Sequence, residues 1–132
     1  MSYGAYEDRV DFSDMMGKTI TKITGAEYGS EQIVIETAEG FTYKLLHNQD
    51  CCENVAVEDV TGDISDLLGG IVCEASECSQ DNPHARESGT WTFYKLNTNS
   101  WRGGVCIRWN GESNGYYSEG VTCYKTETVK EK

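Results

Sequence analysis

Residues Val105 to Tyr124 read VCIRWNGESNGYYSEGVTCY. Asn114-Gly115 offers the pair of positive-φ residues that a type I′ turn demands, so the stretch predicts a β-hairpin. With those two residues as the loop, Ser113 faces Tyr116, Glu112 faces Tyr117, Asn110 faces Glu119, Arg108 faces Val121 and Cys106 faces Cys123. Alternation then places Cys106, Arg108, Asn110, Glu112, Tyr117 and Glu119 on one face. Val105, Ile107, Trp109, Tyr116 and Tyr124 take the other, the side expected against a core. A polar face carrying a guanidinium, carboxylates, an amide and a phenol is a candidate binding surface.

Working outward, β-branched and aromatic alternation continues through most of the chain, and long 3.6-residue periodicity is missing. Strands are expected over Thr19–Thr24, Gln32–Thr37, Phe41–His47, Asn54–Val60, Gly70–Ala75, Thr90–Leu96, Val105–Asn110 and Tyr116–Lys125. The expected fold is mainly β, α+β at most: one antiparallel domain of about eight strands with two short helical turns. Ser76 to Ser88, which holds Pro83, reads as the longest irregular connection. Residues 1–11 and 126–132 read as flexible ends of a single domain spanning 1–132.

The two helical turns resemble each other. Asp11-Phe12-Ser13-Asp14-Met15-Met16-Gly17 precedes the first expected strand, and Asp63-Ile64-Ser65-Asp66-Leu67-Leu68-Gly69 precedes the fifth. Each has an Asp or Ser N-cap, an acidic first turn, an apolar pair and a Gly placed to end the turn. A second echo joins Phe41-Thr42-Tyr43-Lys44-Leu45 to Phe93-Tyr94-Lys95-Leu96. A pseudo-duplicated unit predicts two halves about a pseudo-twofold axis, with the aromatic strands in equivalent places; chance recurrence is the alternative.

The chain has 132 residues and a formal net charge of −11. Residues 1–87 carry 5 Lys/Arg against 18 Asp/Glu, and residues 88–132 carry 6 against 4, so the acid is concentrated in the first two thirds. Such a balance argues against direct nucleic-acid binding, which needs cations for phosphates. It suits a solvated surface, or an acidic patch that competes for a basic partner. The start lacks a signal-like segment and no run reaches the length of a membrane span, so a cytoplasmic protein without a membrane partner is expected. The six Cys are read as reduced thiols.

Chemistry could concentrate in His47-Asn48-Gln49-Asp50-Cys51-Cys52-Glu53. A zinc site would use His47, Cys51 and Cys52, but adjacent cysteines usually diverge, so this is a weak metal candidate. A thiol enzyme would need His47 as base, and nothing else marks a nucleophile. A strand end and tight loop, with Asp50 capping amides, explains the run without function. Tyr94 and Trp101 could stack on a planar ligand, although a packed core strand accounts for Tyr94 equally well. Arg102 beside Gly103-Gly104 could take a phosphate, but the run lacks Walker spacing. No cofactor and no enzymatic activity are expected.

The segments HNQDCCE (47–53), TWTFYKL (90–96) and IRWNGESNGYYSE (107–119), together with Val57-Glu58-Asp59 and Gly62-Asp63, resemble a family of small tailed-bacteriophage proteins, a domain of unknown function. The similarity runs from about Gly17 to Tyr124. It implies an accessory phage protein made in the host bacterial cytoplasm. Such proteins often counter host defence, and two mechanisms fit the residues. A ligand trap would sequester a nucleotide-derived signalling molecule without cleaving it, using Arg108 or Arg102 for phosphate, Tyr94, Tyr117 or Trp101 for stacking, and Asn110, Asn114 or Glu112 for hydrogen bonds, with Glu119 and His47 beside them. A lone Arg108 among carboxylates must be paired or liganded, and Glu119 is the expected partner if it is paired. The alternative is an acidic inhibitor of a host protein, or DNA mimic, presenting Glu53, Glu58, Asp59, Asp63 and Asp66. A structural or regulatory phage role is the third reading, and exposed edge strands suggest a homodimer or higher oligomer.

Overall fold

A computed structural model describes residues 7–100 and 103–127. Nine strands are present among them: β1 Glu7–Val10, β2 Ile20–Thr24, β3 Gln32–Thr37, β4 Phe41–Leu46, β5 Asn54–Thr61, β6 Val72–Asp81, β7 Ser88–Thr98, β8 Val105–Ser113 and β9 Thr122–Glu127. All pairings between them are antiparallel, in a five-stranded sheet of order β1-β9-β4-β3-β2 and a four-stranded sheet of order β5-β8-β7-β6. The helical segments are two 3-10 turns, Phe12–Met15 and Ile64–Leu67. No helix among the described residues is long and apolar enough to cross a membrane.

The mainly β expectation holds, and so does the alternation of β8. Val105, Ile107 and Trp109 point into the core, while Cys106, Arg108, Asn110 and Glu112 stay partly open. The predicted hairpin does not form. Both edges of β8 are taken, by β5 and β7, and β9 lies in the other sheet between β1 and β4. Cys106 therefore pairs with Lys95 and Thr61, and Cys123 with Val10 and Leu45. The turn residues explain the difference. Only Gly115 has a positive φ, of 97°. Asn114 instead uses its side-chain oxygen to accept the Tyr116 amide at 3.0 Å, and Ser113 Oγ accepts the Gly115 amide at 2.9 Å. These local bonds turn the chain out of the sheet and into a crossover, leaving Tyr116 90% exposed.

Three further boundaries shift. β1 lies within the segment expected to be a flexible end, and Thr126 and Glu127 belong to β9. β6 runs to Asp81, which shortens the irregular Ser76–Ser88 connection to a turn over 82–87.

The echo of the two helical turns marks a real pseudo-twofold axis. The Gly17 amide donates to Val72 O at 2.8 Å, and the Gly69 amide donates to Ile20 O at 2.7 Å. Ile20 N donates to Gly70 O and Val72 N to Lys18 O, with Thr19 and Ile71 bridged at the centre. Each glycine ends its turn at a positive φ, 87° and 83°. Each half then repeats the same bulge, between Ile20 and Lys22 and between Val72 and Glu74, as β2 pairs with β3 and β6 with β7. Met15 and Leu67 occupy equivalent places and are both fully buried. The aromatic echo is not part of this symmetry. Tyr43 lies on β4 and Tyr94 on β7, whereas the counterpart of β7 is β3, so Tyr94 corresponds to Ile33. The two halves share one core, in which the Phe12 ring of the first half packs against Tyr94 of the second, tilted by 57° with ring centres 4.6 Å apart.

Candidate functional site

The open face of the four-stranded sheet carries the polar alternates of β8 beside Trp91, Phe93 and Lys95 of β7. Arg108 is paired there, but with Glu58 rather than Glu119. Its Nε donates to Glu58 Oε1 at 2.9 Å, Trp91 Nε1 donates to the same oxygen at 3.0 Å, and the guanidinium lies 5.1 Å from the Trp91 ring centre. A bulge between Val57 and Asp59 supplies the extra residue that makes this contact. About one third of each partner stays exposed, so the pair remains open to competition by a ligand.

The β6–β7 turn folds back over this face. Asn82, nearly buried, donates from Nδ2 to Asn110 Oδ1 at 2.7 Å and accepts the His84 amide at 2.9 Å. Asn110 passes the chain on, donating from Nδ2 to Glu112 Oε2 at 3.0 Å.

Two hollows of about 300 Å³ each adjoin at the cross-strand pair Asn54 and Glu112. The first is lined by Tyr28, Ala56, Glu58 and Asn110, the second by Cys52, Arg86, Asn114 and Tyr117, and both by Asn54 and Glu112. The β2–β3 loop forms the outer wall of the first. Gly29 N donates to Val57 O and Val57 N donates to Ser30 O, each at 2.8 Å, which holds 81%-exposed Tyr28 beside the opening. Gly25 makes that loop possible: its φ is 87°, and a Cβ there would sit 2.1 Å from Gln32 O.

Behind the second hollow lies a buried His47–Glu53 contact. His47 Nε2 meets Glu53 Oε2 at 2.7 Å, and Nδ1 meets Gly120 O at 2.7 Å. Both ring nitrogens are thereby engaged. The Glu53 carboxylate also accepts the Asp50 and Cys51 amides at 2.8 and 2.9 Å. The His47 hydrogen bond, helped by these amides and opposed by burial, holds Glu53 at about 2. The loop 47–53 is thereby fastened to the crossover after β8.

Glu119 fastens the same crossover from the core side. It accepts Thr90 Oγ1 at 2.7 Å and Ser113 Oγ at 2.5 Å. Burial pushes its carboxyl up, but hydrogen bonds from Ser113, Thr90 and Ser88 outweigh burial and keep it below the ordinary range. Gly111 is needed beneath it, since a Cβ would lie 2.4 Å from Glu119 O.

Residues 13–123 match a domain family described as a domain of unknown function, DUF7448. This chain is a DUF7448 protein. The matched stretch begins in the first helical turn and ends in β9, so it includes every residue of the two hollows and leaves out β1. No curated protein and no solved structure matches this DUF7448 chain.

In the DUF7448 fold, Asn110, Glu112, Asn114 and Tyr117 line the hollows, Arg108 adjoins them through Glu58, and Glu119 and His47 act as supports behind the wall. Tyr94 is a core residue. It is fully buried, with its hydroxyl 3.2 Å from Glu77 Oε2 and 3.4 Å from Val121 O. Trp101 and Arg102 lie outside the described residues. As a metal ligand His47 is already committed, since both its nitrogens are engaged, and no group of three or more His, Cys, Asp or Glu is arranged around a common point among the described residues. Sequence reading missed Tyr28, Asn54 and Arg86, and placed Glu58 on an acidic surface rather than beside Arg108. The Gly25 and Gly29 that bracket Tyr28 were its available signal. Nothing local marks the Glu58 bulge.

Proposed function

We propose that this DUF7448 domain is a non-catalytic binding protein that sequesters a small ligand in the paired hollows. The ligand class is nucleotide-derived: a planar base, a hydroxylated middle and a phosphate. The observation that carries this reading is the joined cleft itself, with an aromatic side chain at each end and a free cation at one. Tyr28 and Tyr117 offer stacking surfaces, Asn54, Asn110 and Glu112 suit ribose hydroxyls, and Arg86 makes no ion pair or hydrogen bond among the described residues. Arg108 is held by Glu58, so Arg86 becomes the first phosphate contact and Arg108 a second that a ligand must win from Glu58. In a phage setting such a ligand is a signal of host defence.

The acidic-inhibitor alternative has less support. Of the carboxylates it relies on, Glu53 is buried against His47, Glu58 is shared by Arg108 and Trp91, and Asp63 accepts from Ser65 N and Oγ at 3.0 and 2.8 Å.

Calorimetric titration with a panel of linear and cyclic nucleotides tests the proposal. Binding by at least one member is expected, weakened roughly 10- to 100-fold by Arg86→Ala, since a charge-assisted hydrogen bond contributes about 1.5–3 kcal/mol. Arg108→Ala should weaken it less, because the native ion pair offsets part of the gain. Silence across the panel, or full affinity in Arg86→Ala, overturns it.

A further inference from the structure

Three of the sheet edges are guarded. β5 is covered by the β2–β3 loop, through the bonds of Val57 to Gly29 and Ser30. β2 carries Lys22 beside a bulge, and β1 is only 4 residues long with Asp8 and Arg9 on it. The remaining edge, β6, differs. Its first residue is covered, since Val72 bonds Gly17 and Lys18. Ser76-Glu77-Cys78-Ser79-Gln80-Asp81 is exposed throughout and holds no Pro, Lys or bulge. Sheets rarely leave such an edge open, because its free amides and carbonyls template another strand.

The phase of that edge follows from its ladder with β7. The Asn82 amide donates to Gly89 O at 2.9 Å, which makes Asn82 and Gly89 a hydrogen-bonded pair. The register then runs unbroken from Asp81 back to Glu74. Gln80, Cys78 and Ser76 therefore bond β7, while Glu77, Ser79 and Asp81 turn their amides and carbonyls outward. Among the described residues β7 is the only strand beside β6, and no other segment bonds these three backbones. On the open face Ser76, Cys78 and Gln80 line a hollow of about 340 Å³ with Phe93, Lys95 and Cys106.

We propose that β6 pairs antiparallel with β6 of a second copy of this chain, about a twofold axis at Cys78, so that the two four-stranded sheets become one. The second copy is the occupant because the edge is self-complementary in one register. Outward groups meet only when the axis passes through a residue. An axis at Ser79 sets Glu77 opposite Asp81, and an axis at Glu77 or Asp81 sets that carboxylate against its own copy, all disfavoured by like charge. An axis at Gln80 sets Glu77 opposite Pro83, which has no amide to give. An axis at Ser76 drives the second strand into Val72, where Gly17 and Lys18 already sit. With the axis at Cys78, Glu77 meets Ser79 of the second copy and each such pair exchanges both backbone bonds. Ser76 meets Gln80, and no charge faces its like. The hollows beside Phe93 then join across the axis into one groove. The two Cys78 residues face each other as a non-hydrogen-bonded pair, with Cα atoms about 4.5 Å apart and within reach of a disulfide. Nothing in this pairing depends on the nucleotide reading.

Sedimentation of the whole reduced chain, from micromolar to millimolar concentration, should show a rise to the mass of two chains. Ser79→Pro removes an amide that β7 does not use. It should keep the wild-type circular dichroism and sediment as one chain throughout. Cys78→Asp, at an exposed position, sets two carboxylates across the axis and should also give one chain; it carries the test if the proline variant unfolds. Oxidation with diamide should link the wild-type dimer, with a proteolytic map joining Cys78 to Cys78 and no such link in Cys78→Ser. The mass of one chain at every concentration overturns the proposal. So does a two-chain mass retained by folded Ser79→Pro or by Cys78→Asp, or cross-links formed only through Cys51, Cys52 or Cys73.

Discussion

Glu53 shows how much one side chain can organise. Its two carboxylate oxygens meet an imidazole and two backbone amides while the side chain is fully enclosed. A carboxylate with this set of donors is favoured strongly over the acid, which is why it stays ionised down to about 2. Because the folded value lies below the ordinary 4.5, the contribution to stability is present above that value and fades as pH falls from 4.5 towards 2. Glu53→Gln keeps an acceptor but removes the charge. Its urea midpoint should be lower than wild type at neutral pH and flatter between pH 4.5 and 2, with the two curves converging at the acid end. Parallel curves would show that the carboxylate is not the titrating group. Cys123 is the contrasting residue: burial pushes its thiol up to about 12, so it remains a small apolar filler of the core at neutral pH.

At the level of elements, the pseudo-twofold contact makes a quantitative comparison available. Gly17 and Gly69 both have φ in the left-handed region, and a Cβ at either would meet nothing within 4 Å. The penalty for alanine is therefore backbone strain alone, roughly 1–2 kcal/mol at each position. Chemical denaturation of Gly17→Ala and Gly69→Ala should give the same loss within error; a large inequality would mean that the two turns bear different loads. The turns were legible because their signals are local: a cap, an apolar pair and a terminating glycine lie within seven residues. The pairing of β8 was not. Asn114-Gly115 carries a strong hairpin signal, but choice of partner depends on which edges are already occupied, and β5 and β7 claim both edges of β8 through contacts distant in sequence. The inward and outward faces of β8 survived this error, since alternation depends on the strand and not on its neighbours. That is why Asn110 and Glu112 were found from sequence, while Tyr28 and Arg86, brought in by loops, were not.

At the scale of the whole molecule, the described residues make two similar halves plus one strand, β1, without a counterpart. β9 lies between β1 and β4, and β1 pairs with no other strand among the described residues. The first sheet thus joins segments from nearly opposite ends of the described chain, while the second sheet is closed by segments within 54–113. Pairings of such sequence separation are slow to form, and refolding in the millisecond-to-second range is expected. Pulse-labelled hydrogen exchange during refolding should protect β7 and β8 amides first and those of β1 and β9 together and last. Early protection of β1 would contradict this order. During synthesis the consequence is a waiting period: β1 emerges first, has nowhere to dock, and must remain unpaired until the last strand of the sheet has left the ribosome.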